Sequence, residues 1–579
     1  MQRLWAHFRN YWSRWVWGGL MLLLTNATVL TIPQLFRFAI DGMQSGAPAE
    51  HLRDIARILV LIAGAAAVFR VLSRVHLFFA GRDIEMDLRI EFYRHLTRQQ
   101  PSFYRKHTTG DLLSRATADL TQVRMMLGPG VLNAINTVFA FLGAVPLMVL
   151  ISPKLTLLSL ACFPPALWVM RRLGKVLFSA NRRVRDTAGD ISRIVQENLV
   201  GAHVVRAFAN ESRQARLFDE HNRAYYDANI RLAWSRSGLA RLGLTMANVA
   251  ILVGLYFGTW DVLNERLTVG ELVALVEYMA LLSWPALALG WILAMWQRGS
   301  GAMSRLTEIL DTPPTILSGI VRPDALDATI DIRSLTIEIG GRRILDGISL
   351  KIARGQTVGV VGPVGSGKSV MAQALLRLVE TPASQIFVGG VDVTQLDLDV
   401  LRGAFGYVPQ EHVLFSRSLA ENVAFGRPAA SREDILEALA RAAFLPDLRV
   451  LPLGIESPVG ERGLTLSGGQ KQRTTVARAL LLDPPILLLD DALSSLDAET
   501  EAEIVDVLRR ERKGRTTLIV SHRVSAVRHA DTIVVIDEGR IIEQGSYDEL
   551  LACRGLFARI AKRQELERGF DGDMRGGSR

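Results

Sequence analysis

Long apolar runs occupy the first half of the chain, and short alternating runs occupy the second. The long runs are Val16–Ile40, Ile55–Phe79, Val131–Ile151, Leu155–Met170, Leu242–Leu263 and Val269–Met295. A bilayer core of about 30 Å needs about 20 such residues as a helix. Six spans are therefore predicted, the fourth short unless it continues into the stretch that follows. Ahead of the first, Leu4, Trp5, Phe8, Tyr11, Trp12 and Trp15 recur at helical spacing, with Arg3, Arg9 and Arg14 between them. That pattern predicts a helix lying in the membrane interface over residues 1–15. The first run is too long, and too poorly followed by a small-residue cleavage site, for a signal peptide.

The polar stretches between the runs set orientation. Gly81–Arg124 and Arg171–Arg241 are thick with arginine, whereas Gly42–Asp54, Ser152–Lys154 and Thr259–Thr268 hold few basic residues. Basic loops stay cytoplasmic, so both termini are expected on the cytoplasmic side of the cytoplasmic (inner) membrane. Arg82–Gln100 and Asn181–Asn229 carry helical charge patterns, which predicts that the spans continue as helices into the cytoplasm. Two motifs interrupt them: SFYRKHTTGDLLSR (Ser102–Arg115) and NLVGAHVVRAFANES (Asn198–Ser212). Taken alone, each reads as a solvated helical hairpin. A transmembrane domain over 16–310 is followed by a linker over 311–329 containing Pro313, Pro314 and Pro323. A second domain then spans 330–562, with a tail over 563–579.

Composition agrees with this division. A chain of 579 residues is too long for one core. Hydrophobic residues make up 49% of it, and the mean hydropathy is +0.21. The net charge of +9 comes from basic residues beside apolar runs, which argues for membrane orientation and against nucleic-acid binding. Cys162 and Cys553 fall in different domains and make neither a disulfide framework nor a zinc spacing.

Candidate chemistry lies in the second domain. GVVGPVGSGKS ends a β-rich run (Thr357–Val361) and precedes a helical pattern, and Gly362, Pro363, Val364, Gly365, Ser366, Gly367, Lys368 and Ser369 fit G-x-x-x-x-G-K-[ST]. Glycines let backbone N–H groups close on phosphates, Lys368 reaches the β and γ oxygens, and the Ser369 hydroxyl is a Mg2+ ligand. Downstream, PPILLLDDALSSLD supplies an apolar strand ending in Asp490, the second expected magnesium ligand. Between them GLTLSGGQKQR places Ser467, Gly468, Gly469 and Gln470 ahead of a helix, where free N–H groups make an anion site.

With these motifs in this order the chain resembles the ATP-binding-cassette exporters, closest to multidrug-resistance-like half-transporters that work as heterodimers. The resemblance covers nearly the whole chain. It implies an α-helical membrane domain of six transmembrane helices (the type IV exporter fold) fused to an α/β P-loop ATPase domain. It also implies a translocase that couples hydrolysis of ATP to transport of amphipathic compounds, lipids or peptides. Gln410, in YVPQEHVLF, resembles the glutamine that senses magnesium; Asp497, in SSLD, the D-loop aspartate; and His522, in IVSHR, the histidine that contacts the γ-phosphate. VGERG (Val459–Gly463) resembles the loop by which exporters touch their coupling helices, and the two cytoplasmic motifs resemble those helices.

Two positions depart from the family pattern. Asp491 stands where the family has a glutamate that orients the attacking water. Its carboxylate is one methylene shorter, and misplacement by about 1 Å can cost on the order of 100-fold in rate. The alternative is a backbone shift that brings the shorter side chain forward. Ile339, at the end of IDIRSLTIEI, stands where the family places an aromatic against adenine; stacking beyond area burial is worth about 1 kcal/mol. In this family each ATP lies between one chain's P-loop and the other chain's signature. The impaired P-loop site and the intact LSGGQ together imply a heterodimer whose other chain supplies the glutamate. The alternatives are a homodimeric exporter or lipid flippase, or a regulatory subunit.

A transport path needs polar groups inside the spans, where ionisable side chains are costly unless paired or wet. Arg37, Arg70, Arg74, His76 and Glu277 qualify, with Asn26 and Asn248 as neutral candidates. Arg70 and Arg74 have an ordinary reading as side chains reaching for the cytoplasmic headgroups. Arg37 and Glu277 both fall in the outer half of the bilayer, and a pair between them is expected. Trp284, Trp291 and Trp296 lie further along the sixth span.

Overall fold

Helix formation in the first half follows from long apolar stretches, and the helices ending at Gln44, Ile151 and Val200 stop beside Gly46, Pro153 and Gly201. The computed structural model describes residues 2–576 other than 461, 462 and 464. The chain divides into two units, Met1–Thr97 with Thr109–Thr312, and Arg98–Thr108 with Pro313–Arg579.

In the first unit, α1 (Gln2–Asn10) breaks at Tyr11 before α2 (Trp12–Gln44). The interfacial helix thus ends earlier, and the first rod begins earlier, than the apolar pattern alone suggests. Its aromatic face is stacked, Trp5 on Phe8 and Phe8 on Trp15. Its polar face meets α3 (Ala49–Thr97), where acids recur every four residues. Arg3 pairs with Glu91 at 2.7 Å, Tyr11 donates to Asp87 at 2.9 Å, and Arg14 pairs with Asp83.

The first cytoplasmic motif contributes α4 (Pro101–Lys106). A third rod follows as α5 (Thr109–Ser114), α6 (Leu120–Met125) and α7 (Val131–Ile151), joined by wide π-type turns at Arg115–Asp119 and Met126–Gly130. Pro129, which lacks an N–H, sits in the second of these turns. The first turn carries buried Arg115, whose guanidinium donates to Asp111, to the Arg305 carbonyl and to Glu308. Then come α8 (Pro153–Leu160), α9 (Phe163–Val200), α10 (Ala202–Ala207), α11 (Glu211–Leu263) and α12 (Val269–Leu310).

Four of the rods are long and apolar enough to cross a membrane by length and composition among the described residues: Trp12–Gln44, Ala49–Thr97, Thr109–Ile151 and Val269–Leu310. The other two predicted runs fall within α8 and α9 and within α11. The predicted fourth run is broken at Ala161–Cys162, and Arg171, Arg172 and Lys175 follow soon after the break. The fifth lies within α11, whose described residues include the apolar stretch Asn248–Leu263.

At the outer end of this unit α2 is tied to α12. Asp41 accepts from the Gly270 N–H and the Thr268 hydroxyl, both at 3.0 Å. A Cβ on Gly270 would lie 2.5 Å from the Arg37 carbonyl oxygen, so this approach requires glycine. Arg37 donates to Glu271 at 2.7 Å, not to Glu277. The expected pair is corrected by helix geometry: six residues at about 100° each turn Glu277 some 120° from the face that carries Glu271. Glu277 is exposed.

The second unit is an α/β domain. β1 (Ile330–Ile339) and β2 (Arg342–Ile352) pair antiparallel, and with β4 (Ile386–Val388) and β5 (Val391–Asp392) they form a sheet ordered β2-β1-β4-β5. The main sheet contains β3 (Thr357–Val361), β6 (Phe405–Val408), β7 (Ile486–Asp490), β8 (Thr516–Val520), β9 (Thr532–Asp537) and β10 (Arg540–Gly545), ordered β10-β9-β3-β8-β7-β6. β7 and β8 are buried at every position, as expected of parallel strands covered on both faces. The helices are α13 (Lys368–Leu375), α14 (Leu398–Gly403), α15 (Leu419–Val423), α16 (Arg432–Arg441), α17 (Leu445–Leu448), α18 (Gly468–Leu481), α19 (Ala498–Glu511), α20 (Tyr547–Ala552) and α21 (Leu556–Gly576). α4 clusters with this unit, its Phe103 buried and Gln100 accepting from the Thr315 N–H. Of the VGERG motif, Glu461 and Arg462 lie outside the described residues.

Candidate nucleotide site

β3 delivers the chain from the middle of the main sheet into a loop that turns directly into α13. A Cβ on Gly362 would lie 2.0 Å from the Ile536 carbonyl oxygen, so only glycine fits this start of the loop. Gly367 has φ +99°, a left-handed value that favours glycine, and it precedes the first residue of α13. The loop's N–H groups and the helix N-terminus thereby converge on one small cavity of about 230 Å³.

Val364, Gly365, Ser366, Gly367, Lys368, Ser369, Gln410, Asp490, Asp491 and His522 all line this cavity. Residues from four separate motifs, more than 150 positions apart at the extremes, are thus brought to one place. Lys368 Nζ donates to the carbonyls of Gly362 at 2.8 Å and Pro363 at 2.7 Å. Burial pushes its pKa below the usual lysine value, and Asp491 and Asp490 oppose that shift. The Ser369 hydroxyl donates to Asp490 Oδ1 at 2.8 Å, and Tyr407 donates to Oδ2 at 3.4 Å. Burial raises the Asp490 carboxyl above its ordinary value. A hydroxyl and a carboxylate held together, with the amide of Gln410 on the same cavity, are the hard oxygen donors that Mg2+ prefers beside phosphate.

Asp491 follows directly on β7. Its φ is +52°, a left-handed conformation in which aspartate is among the better tolerated non-glycine residues. Its N–H donates to the Val520 carbonyl at 2.8 Å, so β8 holds this backbone. Its Oδ1 lies 2.8 Å from His522 Nδ1, and Gln564 donates to the His522 carbonyl at 2.7 Å.

The remaining predicted residues lie off the cavity. Ile339 ends β1 and packs half-buried against the core, while Ile344 of β2 lines the cavity in its stead. Ser467 caps α18 by accepting from the Gln470 N–H, and Gln470 returns a contact to the Ser467 N–H at 2.9 Å. Gly468 and Gly469 form its first turn. Asp497 caps α19, accepting from the Thr500 N–H and hydroxyl, both at 2.9 Å. Those two contacts hold its carboxyl below the usual range. In the first unit, Arg70 lines a separate cavity, and Arg37 and Glu277 do not.

Motif reading missed Tyr407 and Gln472. Tyr407 lies three residues before Gln410, and its hydroxyl is spent on Asp490. Gln472 bridges α18 to the strand end, donating to the Asp491 carbonyl at 3.3 Å and accepting from the Ser495 N–H at 3.0 Å. A glutamine two residues past the signature gave no signal of this bridge.

Comparison with known proteins agrees with the geometry. Residues 15–286 match the ABC transporter transmembrane region, and residues 345–494 match the ABC transporter domain. The chain is 36% identical over 573 residues to the "Probable multidrug resistance ABC transporter ATP-binding/permease protein YheI" of Bacillus subtilis (strain 168), covering 98% of each. It is 33% identical to the "Multidrug resistance-like ATP-binding protein MdlA" of Escherichia coli (strain K12), covering 98% of this chain and 96% of that protein. Among solved structures, a bacterial Atm1-family ABC exporter with ATP bound superposes with a TM-score of 0.79 at 29% identity, covering 96% of this chain and 98% of the other. With a helical membrane unit, a P-loop site that gathers its expected partners, and full-length similarity to both, the chain belongs to the ATP-binding-cassette exporters, multi-pass membrane proteins that couple ATP hydrolysis to transport.

Proposed function

We propose that this chain is one half of a heterodimeric exporter of amphipathic compounds, in which its own P-loop site hydrolyses ATP slowly and its signature completes a faster site on a different chain. The carrying observation is Asp491 at the position of the water-orienting base, its shorter carboxylate engaged by His522 at 2.8 Å. Hydrolysis requires a water oxygen to attack the γ-phosphorus as the bond to the ADP oxygen breaks. A carboxylate on that water's far side positions it and accepts its proton. Held back by one methylene, Asp491 does this poorly, while the P-loop still binds.

Ser369 and Asp490 would hold Mg2+, which when bound neutralises charge on the phosphate oxygens. Lys368 orients the phosphates, and His522 contacts the γ-phosphate while ordering Asp491. Ser467 to Gln470, at the start of α18 and off the chain's own cavity, serve the partner's ATP. A second chain is further supported by the second cytoplasmic motif, where Leu199, Val200 and Phe208 are 73%, 76% and 80% exposed. The termini face the cytoplasm, as the arginine distribution requires.

The test is ATP turnover by this chain assembled with its partner. Altering Ser467 or Gly468 should damage turnover far more than Asp491→Asn does. Equal and complete loss from both changes would sink the asymmetric scheme.

A further inference from the structure

An arginine inside hydrocarbon is costly, so its surroundings decide whether it is merely anchored or has work to do. On α3 the charged residues that bracket the apolar stretch holding Arg70 and Arg74 are Arg57 and Arg82, about 37 Å apart along the helix. Arg70 stands about 20 Å from the first and about 18 Å from the second, near the middle of a bilayer. Arg74 lies one turn nearer the cytoplasm. Neither has a carboxylate partner among the described residues.

Both line a cavity of about 340 Å³ between α2, α3, α7 and α12. Asn26, Asn133 and Asn136 supply its other long polar side chains, Trp284 and several leucines supply apolar wall, and no aspartate or glutamate lines it among the described residues. Asn26 donates to the Leu22 carbonyl at 2.9 Å and to Asn136 Oδ1 at 3.1 Å. That bond occupies the Asn136 oxygen and turns its NH2 group toward other acceptors. Asn133 in turn gives its NH2 to the Pro129 carbonyl at 2.8 Å, so the cavity presents two guanidinium groups among neutral amides, a net positive charge with no acid among its described lining residues. A side chain reaching only for headgroups accounts for Arg74 more readily than for Arg70. It accounts for neither the Asn26–Asn136 bond nor the acid-free lining.

We propose that this cavity holds the headgroup of an anionic amphipath, a phosphate or carboxylate joined to an apolar chain. The proposal rests on the reading of the protein as an ATP-driven exporter and adds the class of its cargo. Arginine's planar fork matches either anion with two parallel hydrogen bonds. The volume suits a headgroup and the first part of a chain, and the leucines flanking it carry the apolar continuation.

The full chain, assembled with its partner chain in phosphatidylcholine nanodiscs, would be titrated with dodecyl phosphate, reading tryptophan fluorescence and ATP hydrolysis. A saturable response is expected. The double variant Arg70→Gln, Arg74→Gln should raise its half-saturation about tenfold or more, through loss of charge-assisted hydrogen bonds. The double lysine variant, which keeps the charge but not the fork, should fall between the wild type and the glutamine variant, and Arg57→Gln should leave the response unchanged. An unaltered half-saturation in the glutamine variant, or an equal response to dodecyltrimethylammonium, would overturn the proposal. Competition by inorganic phosphate at equal potency would overturn the assignment to an amphipath. In proteoliposomes holding this chain assembled with its partner, the two readings separate. ATP-dependent movement of a cationic dye with no effect of dodecyl phosphate leaves export standing and removes the site. Binding of dodecyl phosphate with no ATP-dependent movement leaves the site and removes export.

Discussion

Asp497 shows how one side chain can carry a structural duty beneath a functional motif. Its carboxylate caps α19, so Asp497→Ala should cost about 1 kcal/mol. In thermal unfolding of the full chain this would lower the midpoint of the nucleotide-binding unit by about 2–4 °C, and Asp497→Asn should restore most of it. The carboxyl's pKa is held low by the Thr500 N–H and hydroxyl. Its charge-dependent share of stability is therefore complete above the unfolded value near 4 and lost as pH falls through the lower folded value. The margin of the wild type over Asp497→Asn should accordingly shrink as the pH is lowered below about 4. A margin that grows on acidification would show that the charge is not what caps the helix. Residues of this kind divide sharply in how readable they were. The P-loop, Asp490, Asp491, Gln410 and His522 were legible because each belongs to a spaced motif with one chemical use. Tyr407, Gln472 and Ile344 were not, because their roles come from which strand neighbours which, and nothing local encodes that.

Among the elements, apolar run length located the rods but not which face each presents. Four runs became rods that satisfy the length and hydropathy of a span, while the run at Leu155–Met170 was broken after α8. Arg37 and Glu277 were placed at similar depth by counting residues, and depth is all that counting gives. The rotation of α12, set by the cap at Thr268 and the contact of Gly270 with Asp41, decides that Glu271 receives Arg37. A double-mutant cycle of Arg37→Gln with Glu271→Gln should show a coupling of about 1 kcal/mol in thermal unfolding, the pair being half-buried. The same cycle with Glu277→Gln should show none. A coupling confined to Glu277 would mean that the two helices meet on another face. The strands that lead to the site were easier to read, because β3 and β7 are short, mostly apolar runs that each end directly at a motif.

For the whole molecule, the sequence carried the division into a membrane unit and an ATPase unit, because the two solvents select different patterns of apolar residues. The proposed assembly rests on chemistry alone: an intact signature beside a shortened base makes sense when another chain supplies the missing glutamate. The most direct test is ATP hydrolysis by this chain purified alone, wild type beside Asp491→Glu. The account predicts feeble hydrolysis by the wild type and a rise on the order of 100-fold with glutamate, the cost of about 1 Å of misplacement being relieved. Brisk hydrolysis by the wild type, little changed by glutamate, would contradict it and make the chain a homodimer in which aspartate suffices as the base.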